Sequence, residues 1–152
     1  MSRPVVILGS EPFGHEHDLE DVHGAPFWQP GFDAGAWSVL SLPDRGMTPQ
    51  GTDRAYRAEF TLDILPPMLT VSVQSDDGLW MWLNGVALGH WGGEWQEEGC
   101  VNDRAECLET TVVEPLDVTD LIRPGRNVVA ARVSNPVMNT YFDVLPECQD
   151  PT

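Results

Sequence analysis

The chain has 152 residues, of which 41% are hydrophobic, so it is long enough to bury one core and too apolar for a disordered protein. Its 24 acidic and 8 basic residues give a formal net charge of −16. Such a surface repels phosphate groups and anionic lipids, and we therefore discount nucleic acid and membrane surfaces as partners. The same acidity suits solubility, a saline habitat or the binding of a divalent cation.

No apolar run approaches the roughly 18 residues that span a bilayer, so membrane insertion is not expected. Residues 5–8 are apolar but too few for the core of a signal peptide. Residues 1–26 are predicted to form an irregular N-terminal segment, because Gly, Pro, His and acidic residues follow one another there with little periodicity.

Period-two alternation, the pattern of half-buried strands, recurs from the middle of the chain onwards. Residues 56–64 place five apolar side chains on one face, namely Tyr56, Ala58, Phe60, Leu62 and Ile64. Arg57, Glu59, Thr61 and Asp63 share the other face. Further strands are predicted over residues 69–73, 128–133 and 141–145, the last one closed by Pro146, and on either side of Asn84-Gly85 within residues 75–93. A single helical turn is predicted over residues 117–122.

About eight short strands joined by turns rich in Gly and Pro indicate an all-β protein. The predicted architecture is a two-sheet antiparallel β-sandwich of jelly-roll type, formed by residues 1–152 as a single domain. Residues 89–111 are predicted to form a long loop, and loops of this length in a compact domain are usually functional or disordered.

Asn84-Gly85 predicts a two-residue hairpin turn, because this pair tolerates the positive φ angles of type I′. Asp76 and Asp77 precede the hairpin as adjacent carboxylates. They are candidate ligands for Ca²⁺, which takes six to eight oxygens, and the Asn84 side chain could add another. The alternative is that Asp76 caps a turn while Asp77 points into solvent.

Tryptophans supply the candidate sugar contacts. Trp91 and Trp95 fall in the predicted loop, where an aromatic ring can stack on a pyranose ring or fold onto the sandwich as a lid. Trp28 is a further candidate for ligand contact. Trp80 and Trp82 share one face of a strand, and core or inter-sheet packing is the role expected for them.

The three cysteines are Cys100, Cys107 and Cys148. A bridge between Cys100 and Cys107 is the most economical pairing, with free thiols as the alternative. The sequence contains neither a Gly-x-Ser-x-Gly elbow nor a phosphate-binding glycine loop. We therefore expect a protein that is not an enzyme.

Three segments in order resemble the galactose-binding-like β-sandwich, particularly the sugar-binding domain that accompanies family 2 glycoside hydrolases. They are residues 31–44 (GFDAGAWSVLSLPD), 82–93 (WLNGVALGHWGG) and 117–135 (DVTDLIRPGRNVVAARVSN). In those enzymes the domain is an accessory to a separate catalytic barrel, so the resemblance implies a module without catalytic activity and a core position for Trp37. Residues 75–78 (SDDG) also resemble the protective-antigen-type lectin segment, which implies calcium at Asp76 and Asp77.

The expected function is recognition or adhesion, with a glycan or a glycosylated surface as partner. The alternative is a structural virion component, a bacteriophage tail or head-decoration protein built on the same sandwich, which would contact other subunits of a larger assembly. Either function places the protein outside the cell or on a particle surface. The chain begins at Met1 without a signal peptide, which suits the virion component. A third alternative is an accessory domain excised from a secreted glycosidase.

Overall fold

The computed structural model describes residues 5–12, 26–35, 37–40, 44–47, 52–76, 79–91, 111–133 and 139–149. These residues form ten β-strands: β1 (Val5–Pro12), β2 (Ser38–Leu40), β3 (Asp44–Met47), β4 (Thr52–Leu62), β5 (Met68–Asp76), β6 (Leu79–Leu83), β7 (Val86–Trp91), β8 (Thr111–Asp117), β9 (Gly125–Val133) and β10 (Asn139–Gln149). No helix occurs in the described part of the chain, and none there could therefore cross a lipid bilayer.

The strands pair into two antiparallel sheets. The six-stranded sheet has the order β2-β1-β4-β9-β6-β7, and the four-stranded sheet has the order β3-β10-β5-β8. The predicted all-β, two-sheet antiparallel sandwich is thereby confirmed, while its jelly-roll connectivity stays a prediction.

Alternating side chains from the two sheets meet in the main core. β4 contributes Tyr56, Ala58, Phe60 and Leu62, β6 contributes Leu79, Met81 and Leu83, and β5 contributes Leu69, Val71 and Val73. Tyr56 of one sheet stacks on Phe142 of the other, with ring centroids 4.1 Å apart. Burial of this apolar area is the main force that holds the sheets together.

Two predicted strand boundaries are wrong. β4 ends at Leu62, and Ile64 is 85% exposed in the turn that follows, so the apolar alternation continues two residues beyond the strand. β10 continues through Pro146 to Gln149, with Pro146 opposite Val71. β3 pairs with residues 139–142 of β10, and no strand in the described ranges pairs with that edge beyond them. A proline is tolerated at a strand edge that forms no ladder.

The two regions predicted to be irregular contain strand. β1 occupies part of residues 1–26, and within residues 89–111 β7 extends through Trp91 while β8 begins at Thr111. Residues 92–110 lie outside the described part of the chain. The predicted helical turn is a hydrogen-bonded turn after β8, in which Leu121 N donates to Val118 O at 2.9 Å.

Candidate functional site

Trp80 and Trp82 lie on the outer face of the six-stranded sheet. Their β9 neighbours are Arg132 and Ala130, whereas the alternate residues of β6 face the main core. Packing between the sheets is therefore wrong for both residues, because alternation along β6 gives the inner face to Leu79, Met81 and Leu83. Core packing is confirmed for Trp82, which packs against a second buried cluster on the outer face.

A segment that precedes β2 covers this outer face. We call residues 26–35 and 37 the aromatic strap. Trp28 of the strap stacks on Trp82, with ring centroids 4.7 Å apart and planes 6° from parallel. Phe27 meets both rings edge-on. The strap thus forms a second apolar cluster with the sheet, and Trp37 packs against this cluster rather than in the main core.

Arg57 fastens the aromatic strap to β4. Its Nη1 donates to the carbonyl oxygens of Phe27 at 2.6 Å and Gln29 at 2.8 Å, and its guanidinium lies 5.3 Å from the ring centre of Phe32. The sequence pattern assigns Arg57 to the polar face of β4, yet the residue is only 1% exposed because the strap covers it. This burial lowers the pKa of the guanidinium.

A second arginine reaches the strap from β9. Arg126 Nη1 donates to Pro30 O at 3.0 Å, and its Nη2 forms an ion pair with Glu59 on β4. The hydrogen bond from Arg126 lowers the pKa of the Glu59 carboxyl and raises that of the arginine. The contacts of Arg57 and Arg126 thus attach the strap to the six-stranded sheet as part of the fold.

Asn84 joins the hairpin to the turn after β8. Its backbone φ is 50°, its Nδ2 donates to Leu121 O and to Asn127 Oδ1, and its Oδ1 accepts from Val128 N. Both amide protons are therefore used within the fold, and one oxygen lone pair is left for any ligand. The part predicted for Asn84 in ligand binding stays a prediction.

Trp91 is the last residue of β7 rather than part of a loop, and it packs partly buried against the main core. Its ring lies over Gly89, 2.9 Å from where a Cβ would stand. A side chain at position 89 would therefore displace the ring. Trp91 consequently has a packing role at the edge of the sandwich, and its contact with a ligand remains a prediction.

The remaining predicted site residues fall largely outside the described part of the chain. Trp95, Asp77, Cys100 and Cys107 lie outside that part, and Asp76 is described only as the last backbone position of β5. Cys148 is exposed, and it forms no disulfide with any residue in the described part of the chain. Among the described residues, no three His, Cys, Asp or Glu side chains come together as a metal site.

An open groove of about 260 Å³ lies on the outer face of the four-stranded sheet. It is lined by Ser72, Val73, Gln74, Val113, Pro115, Asp143 and Leu145. Gln74 of β5 stands directly opposite Asp143 of β10, and Ser72 stands opposite Leu145. The groove therefore combines a carboxylate, an amide and a hydroxyl with two apolar side chains.

A β-bulge in β8 forms one side of the groove. Val71 pairs with Leu116 and Val73 with Val113, so that residues 114 and 115 together oppose Ser72. One of these two residues is Pro115, which is exposed. Along β5 the same face continues from Gln74 to the backbone position of Asp76. The groove thus leads towards the predicted calcium turn.

This groove was not predicted from the sequence. The alternation in residues 69–73 marks the inner side chains of β5 and so implies that Ser72 and Gln74 face outwards. Pro115 within a strand also signals a bulge or an edge. No local pattern, however, tells that β10 is the neighbour of β5, because their pairing joins residues about 70 positions apart.

No protein-family model and no curated protein matches this sequence. Among solved structures, a glycosyl hydrolase family 2 member from Bacteroides cellulosilyticus is similar at 18% identity and a TM-score of 0.54, over 92% of this chain and 20% of that one. A beta-glycosidase from Bacteroides vulgatus is similar at 15% identity and a TM-score of 0.51, over 94% and 20% of the two chains.

A PA14 sugar-binding domain from an RTX adhesin gives a TM-score of 0.43 at 10% identity, over 96% of this chain and 90% of that one. The chain thus spans about a fifth of the length of the glycosidases that it matches. The glycosidase likenesses concern the fold, and they are consistent with the galactose-binding-like β-sandwich that the sequence motifs suggest.

Proposed function

We propose that the protein is a carbohydrate-recognition module without catalytic activity, and that it binds its ligand in the groove of the four-stranded sheet. The observation that carries this proposal is the groove's lining, in which Ser72, Gln74 and Asp143 lie beside Pro115 and Leu145. Concave sites with a few polar groups on an apolar surface are typical of small-molecule binding.

The lining matches the two sides of a sugar ring. A pyranose presents hydroxyl groups around its rim and C–H groups on its faces. Asp143 and Gln74 offer a carboxylate and an amide to the hydroxyls, while Leu145, which is 39% exposed, offers apolar surface to a ring face. Because the groove is open to solvent, it suits a saccharide unit within a longer glycan.

The aromatic strap is a weaker candidate for the sugar-binding site than the groove. Trp28 already stacks on Trp82, and Arg57 and Arg126 hold the strap backbone in place. The stacking partner of a bound sugar would then come from outside this cluster. We keep Trp95 as the proposed stacking partner, in addition to the groove residues as proposed polar and apolar contacts.

We also propose that Asp76 and Asp77 bind Ca²⁺ at the end of β5, beyond Gln74. The test is calorimetric melting with excess Ca²⁺ and with EDTA, because a ligand at 100 times its Kd stabilises a protein by about 2.7 kcal/mol. We expect a calcium-dependent rise in melting temperature that Asp77→Ala abolishes and Asp63→Ala, an exposed acidic position on the β4–β5 turn, does not. Equal melting temperatures in Ca²⁺ and EDTA would refute the calcium site.

A glycan array, probed in Ca²⁺ and in EDTA, tests the recognition function itself. Ser72→Arg fills the groove, and Thr61→Arg adds the same side chain at an exposed position on the other sheet. We expect Ser72→Arg to weaken binding at least about tenfold, which is 1.4 kcal/mol, and Thr61→Arg to bind as the parent does. Absence of binding by the parent to every glycan on the array would refute the proposed function.

The proposed partner is a glycan or a glycosylated surface, and the proposed location is outside the cell or on a particle surface. A second candidate is a structural subunit of a larger assembly, such as a virion. The observation in its favour is the uncharged edge strand β7, described next.

A further inference from the structure

As far as the structure describes the chain, the two sheets end in four edge strands, and three of them carry features that discourage pairing with another chain. β2 has only three residues. β3 contains Asp44 and Arg45. β8 contains Glu114, Pro115 and a bulge. Short length, charge, proline and bulges are the usual means by which proteins protect exposed edges.

β7 differs from these three edges. Its six residues, Val-Ala-Leu-Gly-His-Trp, include neither an acidic or arginine side chain nor a proline. Val86 is 47% exposed and Ala87 is also exposed. No described strand pairs with its outer side. A bulge occurs on the side that pairs with β6, where Leu88 is the extra residue, and it adds no charge to the outer side.

We propose that β7 pairs with β7 of a second copy of this chain, antiparallel about a two-fold axis, so that two six-stranded sheets join into one. A two-fold contact requires a surface that is complementary to itself. With the axis at Leu88, Val86 stands opposite His90 of the second copy, and Ala87 stands opposite Gly89. Small residues then face each other, and no two like charges are opposed.

Net charge favours this edge over the acidic rest of the surface as the place where two copies meet. Two chains of charge −16 repel wherever acidic surfaces meet, so an uncharged strand is where two copies can approach closely. The backbone groups of a strand edge are satisfied by another strand of the same kind. Six residues form a short ladder, so the dimer is concentration-dependent, and it tightens when salt screens the repulsion.

Light scattering after size exclusion tests the proposal over a range of protein concentrations in about 0.1 M and about 1 M NaCl, where the Debye length is about 10 and about 3 Å. We expect a dimer that grows with protein concentration and is more abundant at high salt. A monomer at every concentration and both salt levels would overturn the proposal.

Paired variants identify the contact. Val86→Lys places a charge on β7, and Val39→Lys makes the same change on β2, at a valine 70% exposed on the opposite edge of the same sheet. We expect Val86→Lys to abolish the dimer and Val39→Lys to keep it. Equal dimerisation of the two variants would refute the contact.

Two further measurements separate the contact from misfolding. Thermal unfolding of both lysine variants shows whether each is folded, and Ala87→Lys replaces Val86→Lys if the latter is not. Amide hydrogen exchange of the parent, compared at low and high protein concentration, is expected to slow at residues 86–90. Unchanged exchange there in a sample that is dimeric would place the interface elsewhere.

Discussion

Arg57 crosses from the outer face of β4 to the backbone of the aromatic strap, where it donates to the carbonyl oxygens of Phe27 and Gln29. A buried guanidinium is costly unless such acceptors surround it. Here the strap supplies the acceptors, and the arginine in turn satisfies carbonyl groups that the strap would otherwise bury without donors. Residue and strap therefore depend on each other.

We predict that Arg57→Ala lowers the free energy of unfolding by about 3 kcal/mol, because it removes charged hydrogen bonds to buried carbonyls. Arg123→Ala is the control at an exposed position, with an expected effect within about 0.5 kcal/mol. Urea unfolding measures both. A cost for Arg57→Ala as small as the control's would show that the strap does not need this residue.

The ion pair of Glu59 with Arg126 gives a prediction about pH. The pKa of Glu59 is lowered in the folded protein, so its contribution to stability is full above its unfolded-state pKa and is lost as the pH falls through the folded-state pKa. Both side chains are partly exposed. We therefore expect the free energy of unfolding of the parent to exceed that of Glu59→Gln by less than about 1 kcal/mol at pH 7.

That difference should shrink as the pH falls from 7 to 3. Urea unfolding of the parent and of Glu59→Gln at pH 7 and pH 3 measures it, and Asp63→Asn corrects for the general loss of negative charge. A difference that grows as the pH falls would contradict the assignment of the ion pair.

At the scale of elements, the β6–β7 hairpin depends on Asn84 in two ways. Its φ of 50° is a left-handed conformation, which asparagine and glycine adopt more readily than other residues. Its amide group also links the hairpin to Leu121, Asn127 and Val128. The turn after β8 is held to β6 and β9 through this side chain.

Two substitutions separate these contributions. Asn84→Gly keeps the turn conformation and loses the side-chain hydrogen bonds, and we predict a cost of about 2 kcal/mol. Asn84→Ala also strains the backbone and should cost about 1 kcal/mol more. Denaturant unfolding measures the free energy of unfolding of both variants. Equal values for Asn84→Ala and Asn84→Gly would contradict backbone strain at this position.

The sequence predicted elements better than it predicted their neighbours. The alternation in β4 and β5 and the Asn84-Gly85 turn were enough to identify strands, a hairpin and a sandwich. Alternation also separates the two faces of β6, but it does not tell which face meets the other sheet. Trp82 packs in a buried cluster as expected, yet that cluster lies on the outer face and not between the sheets. The burial of Arg57 depends on a strap about 30 residues away along the chain, and local patterns carry no information about such contacts.

At the scale of the whole molecule, the outer faces of the two sheets differ. The outer face of the six-stranded sheet is covered by the aromatic strap, and the outer face of the four-stranded sheet holds the open groove. Since the main core separates them, ligand contacts in the groove and stabilising contacts of the strap can be altered independently. Arg57→Ala is therefore expected to lower stability without changing glycan affinity at a temperature where the variant is folded.

The measurement that bears most directly on the recognition function is amide NMR of the labelled protein, titrated with the glycan that the array selects. We predict shift changes concentrated at residues 72–74, 113–114 and 143–145, and their loss in Ser72→Arg but not in Thr61→Arg. Shift changes concentrated in the aromatic strap and β6, with the groove unaffected, would contradict the proposed site.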